Sequence, residues 1–513
     1  MENRVSVNRS EEQLLKVLGP LSDFANFIKR ISRKGYPKTL SEILVMGGAN
    51  THNLSDATLK RKVSQICRAG SRFSNNCLCV SLYGDSDDVM RWAIKHGAIA
   101  VVTDHSIEGL PCIVVPSPEQ FYANVCSYFR SQSGVKITAV AGSIGKTTTK
   151  RMLASVYCEH FETFNDPENE NQMDCIGYIC QHIPYGTQMQ VQEVSEDTPG
   201  CMKYMSQMLR PEIVVITAVD KSHIEQFESQ GKIYEEVCAI TENMHPDGVV
   251  IVDISDKDIN SYIHEKKVVT VSKDDPSADF YASDISFGDL GLEFIVTDNI
   301  NKKSFEVVLH NVFAHHNVTS ALYAFAAGVC SGEPYEKILK GLDSYRTLGI
   351  RQNIYDSETG VKLYVDCYNA VGKSVEAAIV TAGMIPVKGK RIAVLGDIEE
   401  AGSTSEQIHR DVIKYVVNSS FDCLLTYGPK MKAATESVGE LLDNITVEFF
   451  LDKKILANKL KQVAKSGDLI LFKASRKSAL ETIVESLWPR KYRFQMRSYN
   501  MEKLKWRLKV IFS

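Results

Sequence analysis

The spacing of apolar residues divides the first part of the chain into helical and strand-like stretches. Residues 11–31 have helical spacing and predict one or two amphipathic helices. Their apolar positions are Leu14, Leu18, Leu21, Phe24, Ile28 and Ile31. From there to about residue 118, the short apolar strands CLCVSLYG, AIAVVTD and PCIVVPS alternate with a helical stretch around Asp88–His96. This alternation predicts a small N-terminal α/β domain.

A second series of apolar strands follows a linker-like SQSG segment at 131–134. The run VKITAVAG is apolar, β-branched and ends in glycine, as a buried parallel strand would. Comparable strands are EIVVITAV, GVVIVDI, KLYVDCY, RIAVLGD and DLILFKAS. We therefore expect an α/β fold of three domains. They are an N-terminal domain at 1–132, a central domain with a parallel sheet at 133–348, and a C-terminal Rossmann-like domain at 349–488.

Composition narrows the function classes. The 513 residues include 59 Lys and Arg against 63 Asp and Glu, so a net charge of −4 argues against nucleic acid as a partner. We found no apolar run long enough to cross a bilayer and no apolar core of a secretory signal near the start, which predicts a cytoplasmic protein. The 13 cysteines form no CxxC pair, which disfavours a zinc ribbon. We expect a monomer acting on small molecules.

The segment 489–513 differs from the rest of the chain. Its basic residues are Arg490, Lys491, Arg493, Arg497, Lys503, Lys505, Arg507 and Lys509, and its one acidic residue is Glu502. Its apolar residues Met501, Leu504, Leu508 and Ile511 share one helical face, with Trp506 and Phe512 nearby. This pattern is typical of a basic amphipathic helix that lies on an anionic membrane, although such a helix can also dock on its own domain.

A phosphate-binding loop joins the strand VKITAVA to the helical stretch KRMLASVY. The loop contains Gly142, Ser143, Gly145, Lys146, Thr147 and Thr148, and is one residue shorter than the usual pattern unless Ala141 replaces the first glycine. Glycines let backbone N–H groups surround a phosphate chain, a lysine meets its β and γ oxygens, and a threonine hydroxyl reaches Mg²⁺. The sequence therefore predicts a nucleotide-binding site.

Several blocks occur in an order that resembles the Mur ligase family. They are GSIGKTTTK, EVSEDTPG, VITAVDKSHIEQFES, AHHNVTSALYAFAAG, GIR, VDCYNAVGKSVEAA, VLGDIEEAG with His409 after it, and FKASRKSALE. The resemblance covers about 135–488 and implies an ATP-dependent ligase. Such an enzyme phosphorylates a carboxylate, and an amine then displaces phosphate to form an amide.

The resemblance also implies roles for individual residues. Lys146 would contact the phosphates, Thr147 and Glu193 would hold one Mg²⁺, and His223 would help to hold a second. Asn317 would contact adenine, and Arg351 and Asp366 would close over the nucleotide. The block Lys473, Ser475 and Arg476 would lie near the pocket for the incoming amine. The implied cofactors are ATP and Mg²⁺.

The sequence departs from the family pattern at the carrier site and the metal site. Ser71 and Arg72 lack the preceding aspartate of the family's uridine-binding signature, which leaves the carboxylate carrier, a UDP-muramoyl peptide in the family, open. Val237 occupies the position of a lysine that the family carbamylates to hold the second Mg²⁺, and Glu235 or Glu236 is expected to replace that charge. A ligase redirected to another substrate and a silent nucleotide-binding paralogue are the alternative hypotheses.

Overall fold

A computed structural model describes residues 38–50, 52–70, 73–166, 170–219, 227, 229–263, 266–288, 290–347, 349–399, 404–439 and 445–511, apart from the side chains of 260 and 506–511. The helices predicted within 11–31 lie outside this part of the chain. Among the described residues, no helix combines the length and apolar character needed to cross a membrane.

The N-terminal unit is a small α/β layer. Its strands are β1 (Lys38–Thr39), β2 (Lys62–Val63), β3 (Ile66–Cys67), β4 (Leu78–Val80), β5 (Ala100–Thr103) and β6 (Cys112–Val114). Its helices are α1 (Leu40–Gly47), α2 (Asp56–Leu59), α3 (Asp87–Lys95) and α4 (Pro118–Ser131). β1 and β2 pair antiparallel, and β3 to β6 form a parallel sheet in chain order. The predicted strands and the helix near Asp88 are confirmed.

The central unit is built on a nine-stranded sheet of order β15-β14-β13-β12-β11-β10-β7-β9-β8. Its strands are β7 (Lys136–Ala141), β8 (Thr163–Asn165), β9 (Met189–Glu193), β10 (Ile213–Ile216), β11 (Val249–Asp253), β12 (Lys267–Ser272), β13 (Phe280–Phe287), β14 (Gly291–Asp298) and β15 (Lys303–His310). Its helices are α5 (Lys146–Tyr157), α6 (Met173–Gln181), α7 (Met202–Leu209), α8 (Gln230–Cys238), α9 (Asn317–Cys330) and α10 (Tyr335–Ser344).

The central sheet is mixed rather than purely parallel. The predicted strands β7, β10 and β11 pair in parallel, as expected. β14 runs antiparallel to both β13 and β15, an extension that the sequence analysis did not predict. These three strands alternate buried and more exposed residues, so they lack the continuous apolar runs that mark the parallel strands.

The C-terminal unit has a six-stranded sheet of order β16-β17-β21-β18-β19-β20. Its strands are β16 (Asn353–Asp356), β17 (Lys362–Asp366), β18 (Arg391–Gly396), β19 (Cys423–Tyr427), β20 (Thr446–Phe450) and β21 (Leu469–Lys473). Its helices are α11 (Gly372–Met384), α12 (Ser405–Val417), α13 (Pro429–Ser437), α14 (Lys453–Val463), α15 (Glu481–Leu487) and α16 (Pro489–Ile511). β17 to β21 are parallel, and β16 is an antiparallel edge. This is the predicted Rossmann-like class.

The three units differ in whether they share an apolar core with a neighbouring unit. One continuous core contains Phe121 and Tyr122 of the N-terminal unit together with Ile137, Ile176 and Met202 of the central unit. The two cores of the C-terminal unit contain one buried residue of the central unit, Phe313. The N-terminal and central units therefore share a hydrophobic interior, whereas the C-terminal unit has its own.

The basic tail forms helix α16, and its first half docks on the protein. Glu358 accepts hydrogen bonds from the backbone N–H groups of Arg490 and Lys491 at the start of the helix. Further along, the Tyr499 ring lies 5.7 Å from the Arg151 guanidinium carbon on α5 and packs beside Gly349. The tail thus reaches both the phosphate-loop helix and the linker before β16. Contact with a membrane remains a prediction.

We predict that Tyr499→Ala destabilises the protein by about 1–2 kcal/mol, because it removes ring packing and a cation–π contact. Phe494→Ala on the same helix is the matched control, since Phe494 is 65% exposed. Thermal unfolding of both variants measures the difference, and equal melting temperatures would contradict the docking role of Tyr499.

Candidate active site

The phosphate-binding loop lies at the carboxyl edge of the central sheet. Gly142 and Gly145 have φ angles of +113° and +90°, a region that favours glycine. A Cβ atom on Gly142 would also lie 2.4 Å from the Thr217 hydroxyl on the neighbouring strand end. The loop therefore needs glycine at Gly142 for both conformation and space. The loop leads into the N-terminus of α5, where the first N–H groups have no partner within the helix and can bind an anion.

Lys146 begins α5 and is held by oxygen atoms of the loop and of a neighbouring strand end. Its ammonium donates hydrogen bonds to the Gly142 carbonyl and to Glu196, whose Oε2 is 3.3 Å away. Ser143 donates to the other oxygen of Glu196 at 3.0 Å. Glu196 is fully buried. The sequence analysis did not identify Glu196, although it lies just beyond Glu193 in the quoted block EVSEDTPG.

Glu193 ends β9 and faces the first turn of α5. The Thr147 hydroxyl donates to its Oε1 at 3.3 Å, and the Asn171 amide donates to the same oxygen at 3.1 Å. Burial by itself raises the pKa of this carboxyl. The charges of Lys150, Lys146 and Arg351 outweigh burial and hold the pKa of Glu193 below its usual value. Glu193 is therefore an ionised oxygen donor beside Thr147.

A buried lysine, Lys150, forms ion pairs with both Asp166 and Glu193. Lys150 is completely buried, and its Nζ lies 3.1 Å from Asp166 Oδ2 and 3.3 Å from Glu193 Oε2. Burial raises the pKa of Asp166 above its usual value, and the nearby Lys150 charge opposes that rise. Neither residue was singled out from the sequence. The sequence feature that could have identified Lys150 is its spacing from Lys146, which places both lysines on one face of the helix.

A cavity of about 540 Å³ adjoins the loop, between the ends of β10 and β11 and the start of α9. Gly145, Asp256 and His316 contribute to its lining. Burial lowers the pKa of His316, which favours the neutral imidazole. Asn317, the predicted adenine contact, is the first residue of α9 and 4% exposed. Its carboxamide oxygen has no hydrogen-bond partner among the described residues.

Residues of the C-terminal unit reach the same place. The Arg351 guanidinium donates to the Thr147 hydroxyl at 3.3 Å and its carbon lies 4.9 Å from the centre of the Tyr368 ring. Asp366, at the end of β17, is bound by the Lys473 ammonium at 2.6 Å and by the backbone N–H of Gln352 at 3.2 Å. Two predicted nucleotide residues, Arg351 and Asp366, therefore lie on either side of one backbone turn.

The predicted amine-site residues divide into two groups. Lys473 and Ser475 are buried, and Ser475 accepts a hydrogen bond from the Glu399 backbone at 3.0 Å. Arg476 instead has a side chain that is 61% exposed and pairs with Glu481. Thr148 is half-buried in the first turn of α5.

The structure does not show the predicted second metal group. His223 lies outside the described residues. Val237 is fully buried in the core, whereas Lys232 is more than half exposed and pairs with Glu235 at 2.6 Å. Glu236 accepts hydrogen bonds from the backbone of Gly200 and Met202 at the start of α7. The expectation that Glu235 or Glu236 supplies the missing negative charge therefore has no support in these contacts.

The residues present fit a nucleotide and a hard divalent cation. The cavity, the helix N-terminus and the buried, unpartnered Asn317 oxygen suit a purine nucleotide. The Thr147 hydroxyl and Glu193 carboxylate are oxygen donors of the kind Mg²⁺ prefers. In the described part of the chain, no group of three or more His, Cys, Asp and Glu side chains could hold a metal by itself.

Known proteins of one family match most of the chain. The Mur ligase middle domain matches residues 140–328, and the Mur ligase glutamate ligase domain matches residues 350–476. UDP-N-acetylmuramoyl-tripeptide–D-alanyl-D-alanine ligase of Bacillus subtilis is 29% identical over 409 residues, covering 79% of this chain and 88% of the relative. The enzyme of the same name from Escherichia coli is 26% identical, and the matched region covers 81% of this chain and 92% of that relative.

Solved structures share the fold. MurF from Acinetobacter baumannii superposes with a TM-score of 0.74 at 21% identity, covering 89% of this chain and 99% of that one. MurF ligase from Thermotoga maritima in complex with ADP gives a TM-score of 0.67 at 20% identity, with coverage of 85% and 99%. The two domain matches together span more than half of the sequence and confirm the resemblance. The chain therefore belongs to the Mur ligase family and is an ATP-dependent ligase.

Proposed function

We propose that this ligase joins D-alanyl-D-alanine to the terminal carboxylate of a UDP-muramoyl tripeptide, with ATP converted to ADP and phosphate. The observation that supports this most directly is the joint site at Thr147, where the phosphate loop, Glu193 of β9 and Arg351 of the C-terminal unit converge within 3.3 Å. The names of the relatives supply the two substrates.

The reaction would proceed in two steps. A substrate carboxylate oxygen attacks the γ-phosphorus of ATP, and the bond to the β-γ bridging oxygen breaks to release ADP. The amine nitrogen then attacks the acyl carbon, loses a proton, and expels phosphate to leave an amide. Both steps gather negative charge on oxygen, so fixed positive groups and N–H donors lower their barriers.

Lys146, the loop backbone and Arg351 would all act on the phosphates in this scheme. Lys146 would neutralise charge on the β and γ oxygens, and Glu196 with the Gly142 carbonyl would keep its ammonium at the loop. The N–H groups at the start of α5 would bind the same phosphates. Arg351 would bring positive charge from the C-terminal unit, so that both units contact the nucleotide.

Thr147 and Glu193 would hold Mg²⁺, and His223 would contribute to a second ion. When bound, Mg²⁺ would supply positive charge that stabilises the negative charge developing on the phosphate groups. On the acceptor side, Lys473 and Ser475 would shape the pocket for the amine by fixing the turns after β17 and β18. Arg476, which is the most exposed of the three, would meet the carboxylate of the incoming dipeptide.

We predict that Lys146→Ala reduces ATP turnover by more than about tenfold, because the lysine meets charge that grows in the transition state. ADP release under saturating substrates is the measurement. Lys136→Ala is the control, since Lys136 is an exposed residue at the start of the strand that leads to the loop. A Lys146→Ala enzyme that keeps most of its turnover would remove the phosphate-loop assignment.

A panel of substrates tests the identity of the reactants. We predict that ADP release is fastest with UDP-muramoyl tripeptide and D-alanyl-D-alanine, compared with other carboxylates crossed with single amino acids. Faster turnover with a carboxylate that lacks UDP would indicate a redirected ligase. ADP binding without turnover on any pair would indicate a silent paralogue.

We also predict that activity does not depend on added bicarbonate, because the buried Val237 cannot carry a carbamate. Activity is compared after CO₂ is removed at mildly acid pH and after it is restored. Loss and recovery would show that a lysine is carbamylated, and Lys232→Ala would then identify or exclude the nearest one on α8.

A further inference from the structure

Lys150 occupies a position that the proposed chemistry does not use. It lies one turn after Lys146 on α5, about 6 Å further along the helix axis. Its side chain is fully buried, whereas that of Lys146 is 12% exposed. A lysine ammonium is almost never buried to this degree unless opposite charges surround it.

The partners of Lys150 come from the ends of two different strands. Both oxygens of Asp166, just after β8, lie 3.1–3.2 Å from its Nζ, and Glu193 Oε2, at the end of β9, lies 3.3 Å away. Both carboxylates are almost fully buried. Lys150 therefore ties α5 to two neighbouring strand ends at the edge of the sheet where the phosphate loop lies.

The ion pair also organises the segment that supplies Asn171. Asp166 accepts a hydrogen bond from the Glu170 backbone at 3.2 Å, and the Glu170 carbonyl accepts one from the Gln192 side chain at 2.9 Å. Asn171 then donates to Glu193 Oε1. The two oxygens of Glu193 thus have different neighbours. Oε1 accepts hydrogen bonds from Asn171 and Thr147, whereas Oε2 accepts no hydrogen bond among the described residues and faces the charge of Lys150 at 3.3 Å.

These contacts favour a role in orientation rather than in phosphate binding. The Lys150 ammonium is enclosed by the two carboxylates and does not line the cavity beside the loop. Rotation of the Glu193 carboxylate would separate Oε2 from Lys150 and Oε1 from Thr147 together. Groups that orient a metal-bound carboxylate in this way commonly change metal affinity by about 10–100-fold when they are removed.

We propose that Lys150, together with Asp166, is a positioning residue that fixes the Glu193 carboxylate for the divalent cation of the bound nucleotide. The inference rests on the proposed metal role of Glu193. Lys150 would touch neither phosphate nor metal, and would act through the orientation of Glu193 and the Asn171 segment.

The test is the affinity for ADP measured by calorimetry, once in excess Mg²⁺ and once in EDTA. The ratio of the two dissociation constants is the Mg²⁺-dependent gain, and it reports on the cation without any turnover. We expect Lys150→Met to reduce this gain about tenfold while changing the affinity in EDTA by less than about threefold. Lys340→Met is the matched control, because Lys340 is an exposed lysine that pairs with Glu159.

Lys150→Met leaves two buried carboxylates unpaired and can prevent folding. The double variant Lys150→Met with Asp166→Asn keeps the original charge of the cluster and avoids that problem. If Lys150 serves only to balance charge, the double variant recovers the full Mg²⁺-dependent gain, and the proposal is overturned. If Lys150 positions Glu193, the double variant folds and the gain stays reduced.

The Glu193→Gln variant distinguishes a failure of this inference from a failure of the proposed metal role of Glu193. An unchanged gain in Glu193→Gln would overturn the metal role of Glu193 and this inference with it. A reduced gain in Glu193→Gln beside a full gain in both Lys150 variants would overturn the inference alone. If the metal role of Glu193 and the positioning role of Lys150 are both correct, adding Lys150→Met to Glu193→Gln changes the Mg²⁺-dependent gain no further, because the two residues act on one contact.

Discussion

The active site depends on the convergence of parallel strand ends from two separate sheets. In the central sheet, β7 ends at Ala141, just before Gly142, and β9 ends at Glu193. In the C-terminal sheet, β17 and β21 end at Asp366 and Lys473. Parallel strands bring their carboxyl ends to one edge, where the following loops supply polar groups. The Arg351 hydrogen bond to Thr147 connects the two edges. Charged side chains of both sheets thereby meet at Thr147.

Burial gives these charges their strength and also makes them interdependent. Lys146 is paired with Glu196, and Lys150 with Asp166 and Glu193, in a region where Glu193 and Glu196 are almost inaccessible. Removing water raises the cost of any unpaired ion, so each group requires its partners. The site is therefore a network of alternating charges in which one substitution affects several neighbours.

The sequence was sufficient for the features that have a strong local pattern. Apolar runs ending in glycine identified β7 and β18, and the glycine spacing identified the loop at Gly142 and Gly145. The antiparallel strands β13 to β15 have a weaker alternating pattern and were missed. Asp166 and Glu196 were missed because their meaning comes from pairing across strands, which spacing along the chain does not reveal. The sequence predicted Val237 at the position of the family's lysine, but only the structure shows that Glu235 and Glu236 are engaged elsewhere.

The shared core of the N-terminal and central units has a consequence for motion. Separating the two units would expose large residues such as Phe121, Tyr122 and Met202, at a cost of about 25 cal/mol for each Å² of apolar surface. The core of the C-terminal unit takes in Phe313 and packs against the half-buried Phe287 of the central unit, and Gly349 in the linker has a φ angle of +75°. The shared core therefore opposes separation of the first two units. A rotation of the C-terminal unit about the linker would instead break the contacts of Tyr499 with Arg151 and Gly349.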